Sequence, residues 1–176
     1  MAALLGLEPK MVREIASEAS QGEVCEAAND NAPGQIVVSG TKTAVERAVE
    51  IAKARGARAM MLPVSAPFHC ALMQPAAEAM REALSKVKVA QPRAPLVPNV
   101  SANPVNDPAE IVRGLIEQVT GTVRWRECVH YLVTHGVDRL VEVGSGKVLT
   151  GLAKRIAKDA TAVSIGTPED VAAFKV

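Results

Sequence analysis

Aromatic side chains are nearly missing from this sequence of 176 residues: two Phe, one Trp and one Tyr make up 2% of it. So small a supply excludes a base-stacking platform or an aromatic sugar clamp, and an interior has to be built from Ala, Val, Leu, Ile and Met. Excess charge is missing too. Lys and Arg number 20 and Asp and Glu 19, a net charge of +1, whereas a surface that grips nucleic-acid phosphates needs a basic excess. Cysteine is sparse, with Cys25, Cys70 and Cys128 far apart, odd in number and never in a CxxC pair. That spacing points to neither a zinc knuckle nor a disulfide framework, so no metal is expected and a reducing cytoplasm is. The opening MAALLGLEPK has no basic n-region and reaches Glu8 early, unlike a secretion signal. The longest uncharged run, Ala59 to Ala77, is long enough to raise the question of a membrane span. Pro63, Pro67 and Pro75 break it, and His69 and Gln74 lie inside it, so it reads as a strand, a loop and a helix start.

What is present is apolar periodicity. Hydrophobic residues make up 48% of the chain and charged residues 22%, enough to bury a core. MAALLG reads as a short strand. Pro9 opens a helix whose Met11, Val12, Ile15, Ala16 and Ala19 recur at helical spacing. VCEAAN and QIVVSG are strands joined by a five-residue DNAPG loop. Thr41 is an N-cap for a helix striped by Val45, Ala48, Val49 and Ala52, with Gly56 ending it and RAMMLPV as the next strand. The order β-α-β-β-α-β over residues 1–65 is a ferredoxin-like small subdomain. Its first strand begins at residue 1 with no lead-in, which suggests that upstream sequence is missing.

Residues 66–176 read as part of a larger α/β domain. A helix is expected from Leu72 to about Val87, with Met73, Ala76, Ala77, Met80 and Leu84 on its apolar side. PLVPNV is a short strand, and helices follow over Pro108 to Val119 and Trp125 to His135. VDRLVEVG is a strand, GSGK a turn, VLTGLAKRIAK a helix and TAVSIG a last strand before a helical turn. Strands alternating with helices suggest a parallel sheet. About three strands are too few to cover the helices, which again suggests missing sequence.

Few residues qualify as chemical groups. A phosphate loop needs glycine at position 141 and Ser or Thr at 148, where this chain has Val141 and Val148, so GSGK is a tight turn rather than a nucleotide site. His130 and His135 are five apart on a helix, about 140° around its axis, and do not share a face as metal ligands must. His69 sits in a proline-broken loop between a strand and a helix, a place where scaffolds present catalytic groups, although a structural histidine fits the position equally well. No GxSxG elbow supplies a nucleophile. Cys70 is adjacent to His69, and neighbours in a loop rarely point at one another.

Three motifs in order resemble one family. VSAPFHCALMQPA (64–76) is similar to the catalytic-histidine motif of the malonyl-CoA:acyl-carrier-protein transacylases and the related acyltransferase domains of fatty acid and polyketide synthases. NDNAPGQIVVSG (29–40) resembles their small-subdomain hairpin, and VEVGSGKVLTGLAKRI (141–156) their C-terminal signature. The resemblance implies an acyltransferase with a ferredoxin-like small subdomain (1–65) and part of an α/β-hydrolase-like large domain (66–176). It implies ping-pong transfer of a malonyl group from coenzyme A to acyl carrier protein through a serine acyl-enzyme. The coenzyme A thioester is then a substrate and no cofactor is permanently bound. His69 matches the general base, and the Gln118 backbone carbonyl matches the group that orients it. Asn31, Gln35, Phe68 and Asn99 match substrate-side positions, and Phe68 agrees with malonyl over branched acyl groups. Cys70 stands where the family more often has Ser. Lys147, Lys154, Arg155 and Lys158 form a cluster that could steer an acidic carrier protein. The family's oxyanion loop, serine elbow and carboxylate-binding arginine have no counterpart here, and Met1 matches an internal position. The expectation is therefore the C-terminal two-thirds of such an enzyme at most, inactive alone. The alternative is a non-catalytic ferredoxin-like module that binds a ligand or partner.

Overall fold

A computed structural model of the chain describes residues 1–175. Strands β1 (Ala2–Leu5), β2 (Cys25–Ala32), β3 (Gln35–Gly40) and β4 (Arg58–Met61) form one sheet in the order β2-β3-β1-β4, with every neighbouring pair antiparallel. Helices α1 (Pro9–Ser20) and α2 (Lys42–Ala54) cross between them, the ferredoxin-like connectivity. The apolar stripes named above close the core. Val12, Ile15, Ala16 and Ala19 of α1 and Val45, Ala48, Val49 and Ala52 of α2 pack with Leu4, Ile36 and Val38 of the sheet, all buried. Met11 is the one stripe residue left exposed. Thr41 caps α2 by accepting the Ala44 N–H.

The hairpin is tighter than expected. β2 runs on to Ala32, so only Pro33 and Gly34 turn the chain instead of the five residues of DNAPG. Pro33 pre-sets φ at the first central position, and Gly34 takes the positive φ of +66° that a type II turn requires at the second. Register shifts at Ala27/Asn29 and Asp30/Ala32 put two bulges into β2 and absorb the residues that read as loop. Gly40, where β3 ends, is fixed by contact: a Cβ there would lie 1.9 Å from the Val24 carbonyl oxygen.

Beyond β4 the chain passes through a 3₁₀ turn (Ala71–Met73) into α3 (Gln74–Leu84), then α4 (Pro108–Glu117) and α5 (Trp125–Thr134). β5 (Arg139–Val143), α6 (Val148–Ile156), β6 (Thr161–Ile165) and α7 (Pro168–Ala173) follow. β5 and β6 are paired in parallel. PLVPNV is not a strand: it makes a single bridge, Leu96 to Val105. Pro95 and Pro98 lack the N–H donors that a ladder needs. The apolar side of α3 is also less covered than its stripe suggests. Of that stripe only Ala77 is buried, and Met80 is 40% exposed. Among the described residues no helix is long and apolar enough to cross a membrane.

Candidate active site

His69 stands on the turn between β4 and α3. Pro63 and Pro67 bar regular structure before it, and the backbone at His69 takes φ +58°. A left-handed conformation at a non-glycine residue costs of order 1–3 kcal/mol and persists only where its surroundings impose it. Here the next residue does so. Cys70 is fully buried, and its Sγ donates to the Pro67 carbonyl at 3.1 Å, closing the turn across Phe68 and His69. The thiol is therefore spent on the backbone and is not a nucleophile paired with its neighbour. His69 itself is half-buried.

Its partner comes from the end of α4. The last carbonyls of a helix lack intrahelical donors, and Gln118 is the C-cap of α4, its own N–H bonded to the Gly114 carbonyl. The Gln118 carbonyl oxygen lies 3.0 Å from His69 Nδ1. A carbonyl can only accept, so Nδ1 carries the proton and Nε2 keeps the lone pair. The ring is thus held in the tautomer of a base, by a neutral group.

The other candidate residues lie in three places. Asn31 and Gln35 flank the hairpin turn, both half-buried. Arg155 of α6 donates to the Gln35 side-chain oxygen and, at 3.2 Å, to the Pro33 carbonyl. These bonds tether Arg155 to the hairpin, and it stays exposed together with Lys147, Lys154 and Lys158. Phe68 is 39% exposed beside His69. The Asn99 carbonyl accepts the Arg124 N–H at 2.9 Å and its side-chain oxygen faces the Cys128 thiol at 3.7 Å, so Asn99 is tied to the start of α5. Of the six catalytic and substrate-side candidates, His69 and Gln118 are the one pair bonded to each other among the described residues.

Sequence reasoning missed the groups that hold these pieces together. Asp30 of β2 accepts from Arg126 through both carboxylate oxygens, at 2.7 to 3.1 Å. No local pattern announces a pair 96 positions apart. The G-S-G-K turn has a role that its motif did not reveal. Glu142 reaches past it and accepts from the Leu149 N–H at 3.1 Å, the Thr150 N–H at 2.8 Å and the Thr150 hydroxyl at 2.7 Å. The Thr150 hydroxyl first, and then the amides, hold the Glu142 carboxyl below the usual carboxylate range. The N-terminus of α6 is thus filled by the chain's own anion, where a phosphate loop would leave it open.

Comparison with known proteins gives the chain's relatives. No family model matches the chain. Over 174 residues, 98% of its length, it is 44% identical to the malonyl CoA-acyl carrier protein transacylase of Escherichia coli K12, and it covers 56% of that protein. Its relatives are malonyl CoA-acyl carrier protein transacylases. The Bacillus subtilis transacylase is 40% identical over 173 residues, and the chain covers 55% of it. Among solved structures, the acyl-carrier-protein S-malonyltransferase of Bartonella henselae superposes with a TM-score of 0.93 at 55% identity, over 98% of this chain and 55% of that one. A malonyl-transacylase solved in complex with its type II polyketide acyl-carrier protein gives 0.92 at 38% identity, over 97% and 56%. The chain thus spans little more than half the length of the transacylases it matches.

Proposed function

We propose that this chain supplies the general base and part of the acyl-binding surface for transfer of a malonyl group from coenzyme A to the phosphopantetheine thiol of acyl carrier protein. The acyl-bearing serine lies outside these residues. The observation that carries the reading is the 3.0 Å contact between His69 Nδ1 and the Gln118 carbonyl. With Nδ1 protonated, Nε2 takes the proton of the attacking serine and returns it to the departing coenzyme A thiol. In the second half-reaction Nε2 takes the proton of the carrier-protein thiol as it attacks the acyl-enzyme and delivers it to the serine oxygen as the ester bond breaks, which restores the free serine and the neutral ring. The imidazolium formed at each stage keeps its bond to Gln118, and a neutral acceptor fixes the ring without a second buried charge.

Around this base we assign Asn31 and Gln35 to the acyl-facing hairpin, Phe68 to the wall that disfavours an α-methyl group, and Asn99 to a position near the histidine. Residues 1–65 are read as a ferredoxin-like small subdomain and 66–176 as part of the larger acyltransferase domain. The transacylase relatives and their carrier-protein complex support malonyl-CoA and acyl carrier protein as the substrates. A cytoplasmic setting belongs to the same reading, and the coenzyme A thioester acts as substrate rather than bound cofactor.

The test has two arms. Incubated alone with malonyl-CoA, the chain is expected to keep its unmodified intact mass. Joined to the nucleophile-bearing part of a relative, it is expected to load malonyl onto holo acyl carrier protein. A malonyl adduct on the isolated chain, or no transfer by the folded joined protein, would overturn the proposal.

A further inference from the structure

The segment that follows the Gln118 carbonyl is bonded to the first sheet. Four residues after Gln118, at Thr122, the chain reaches the outer edge of β2 and bonds to it. The Thr122 hydroxyl donates to the Ala27 carbonyl at 2.7 Å, the Val123 N–H to the Ala28 carbonyl at 2.8 Å, and the Asp30 N–H to the Val123 carbonyl at 2.8 Å. The bulge that disturbs β2 between Ala27 and Asn29 sits at this seam. Gly121, between the seam and Gln118, has no room for a side chain: a Cβ there would lie 2.8 Å from Val100 Cγ2 and 2.9 Å from the Glu117 carbonyl oxygen. The segment therefore has little freedom between its two fixed ends.

The seam is closed by charge. Asp30 is only 8% exposed, and Arg126, one residue into α5, takes both of its oxygens. A bidentate guanidinium–carboxylate pair fixes direction as well as distance. Removing one partner leaves the other partly buried and uncompensated, so the two behave as a unit.

We infer that Asp30 and Arg126 are positioning residues for the acid–base centre. They lock the β2 edge to residues 122–126 and so hold the Gln118 carbonyl in register with His69 Nδ1. The ferredoxin-like layer then does more than carry the hairpin: it sets the tautomer of a histidine on the other side of the α4–α5 connection. This deepens the transacylase reading and rests on it for its purpose, although the coupling itself is a property of this chain alone.

The experiment is ¹⁵N NMR of the histidine rings in the 176-residue chain, comparing wild type with Asp30→Asn, Arg126→Met, the double variant and Thr122→Val. His135 is the internal control, because its Nδ1 lies 2.8 Å from the Tyr131 carbonyl within the end of α5. The ratio of Nδ1–H to Nε2–H tautomer at His69 is expected to fall about two-fold or more in each single variant, while His135 is unmoved. The double variant is expected to be no worse than either single, as for residues acting as one unit. Arg126→Lys is expected to recover part of the effect. If Asp30→Asn fails to fold, Thr122→Val decides, since it opens the same seam without stranding a charge. An unchanged His69 ratio in folded variants would overturn the inference. Failure of the joined enzyme to transfer malonyl while the ratio still shifts would refute the transacylase reading and leave the coupling standing.

Discussion

His69 is held in a left-handed conformation by a thiol rather than by a glycine. The three cysteines are structural throughout. Burial pushes the thiols of Cys25 and Cys128 up to about 11, and Cys70 is fully buried with its hydrogen on Pro67. Only the thiolate reacts. At pH 8 the native chain is therefore expected to resist iodoacetamide at all three positions and to label at all three once unfolded, as counted by intact mass. Rapid labelling of Cys70 in the folded chain would contradict the role given to it. At this scale the Pro-broken loop and the flanking motif single out His69 in the sequence, and the structure sets the Gln118 carbonyl against its Nδ1. The sequence was silent on Asp30 and Arg126, whose meaning arises only when β2 and α5 meet.

Between elements, Glu23 is the staple of the first layer. It lies in the link from α1 to β2 and accepts from the Thr43 hydroxyl at 2.6 Å, the Arg47 guanidinium at 2.7 Å and the Thr41 hydroxyl at 2.9 Å. Arg47 also donates to the Ala19 and Ser20 carbonyls that end α1. The Thr43 hydroxyl first, then Arg47 and Thr41, lower the Glu23 carboxyl from 4.5 to about 2. A depressed carboxylate stabilises the fold above its unfolded value and loses that contribution as pH falls toward its folded one. Thermal midpoints are thus expected to drop between pH 4.5 and about 2, with a shallower slope in Glu23→Gln. An identical slope in the variant would remove Glu23 from this role. The helices and β3 were legible because their stripes are long and periodic. The hairpin loop was misjudged because Asn and Asp read as turn formers, whereas bulges let β2 carry them. The stripe of α3 shows which side is apolar; whether anything covers that side depends on neighbours that the stripe does not specify.

Across the whole molecule the two sheets are unequal. The first is backed by a continuous buried core. The second has two strands among the described residues, and Val141 and Val143, on one face of β5, are 37% and 79% exposed, with Val148 at 71%. Exposed apolar surface next to strand edges favours self-association. The isolated chain is expected to sediment with concentration-dependent mass, and Val143→Lys is expected to reduce that dependence without lowering the unfolding midpoint. A strictly monomeric wild type at high concentration would contradict this. The unequal build agrees with a chain spanning 56% of its curated relatives.

The central claim is that His69, oriented by the Gln118 carbonyl, is the base of a malonyl transfer. Its most direct test is the rate of malonyl loading onto holo acyl carrier protein by the joined enzyme, with and without His69→Ala. The account predicts a fall of about 10²–10⁴-fold, the usual range for losing a general base, with an unchanged unfolding midpoint. A variant that transfers malonyl at the unaltered rate would contradict it.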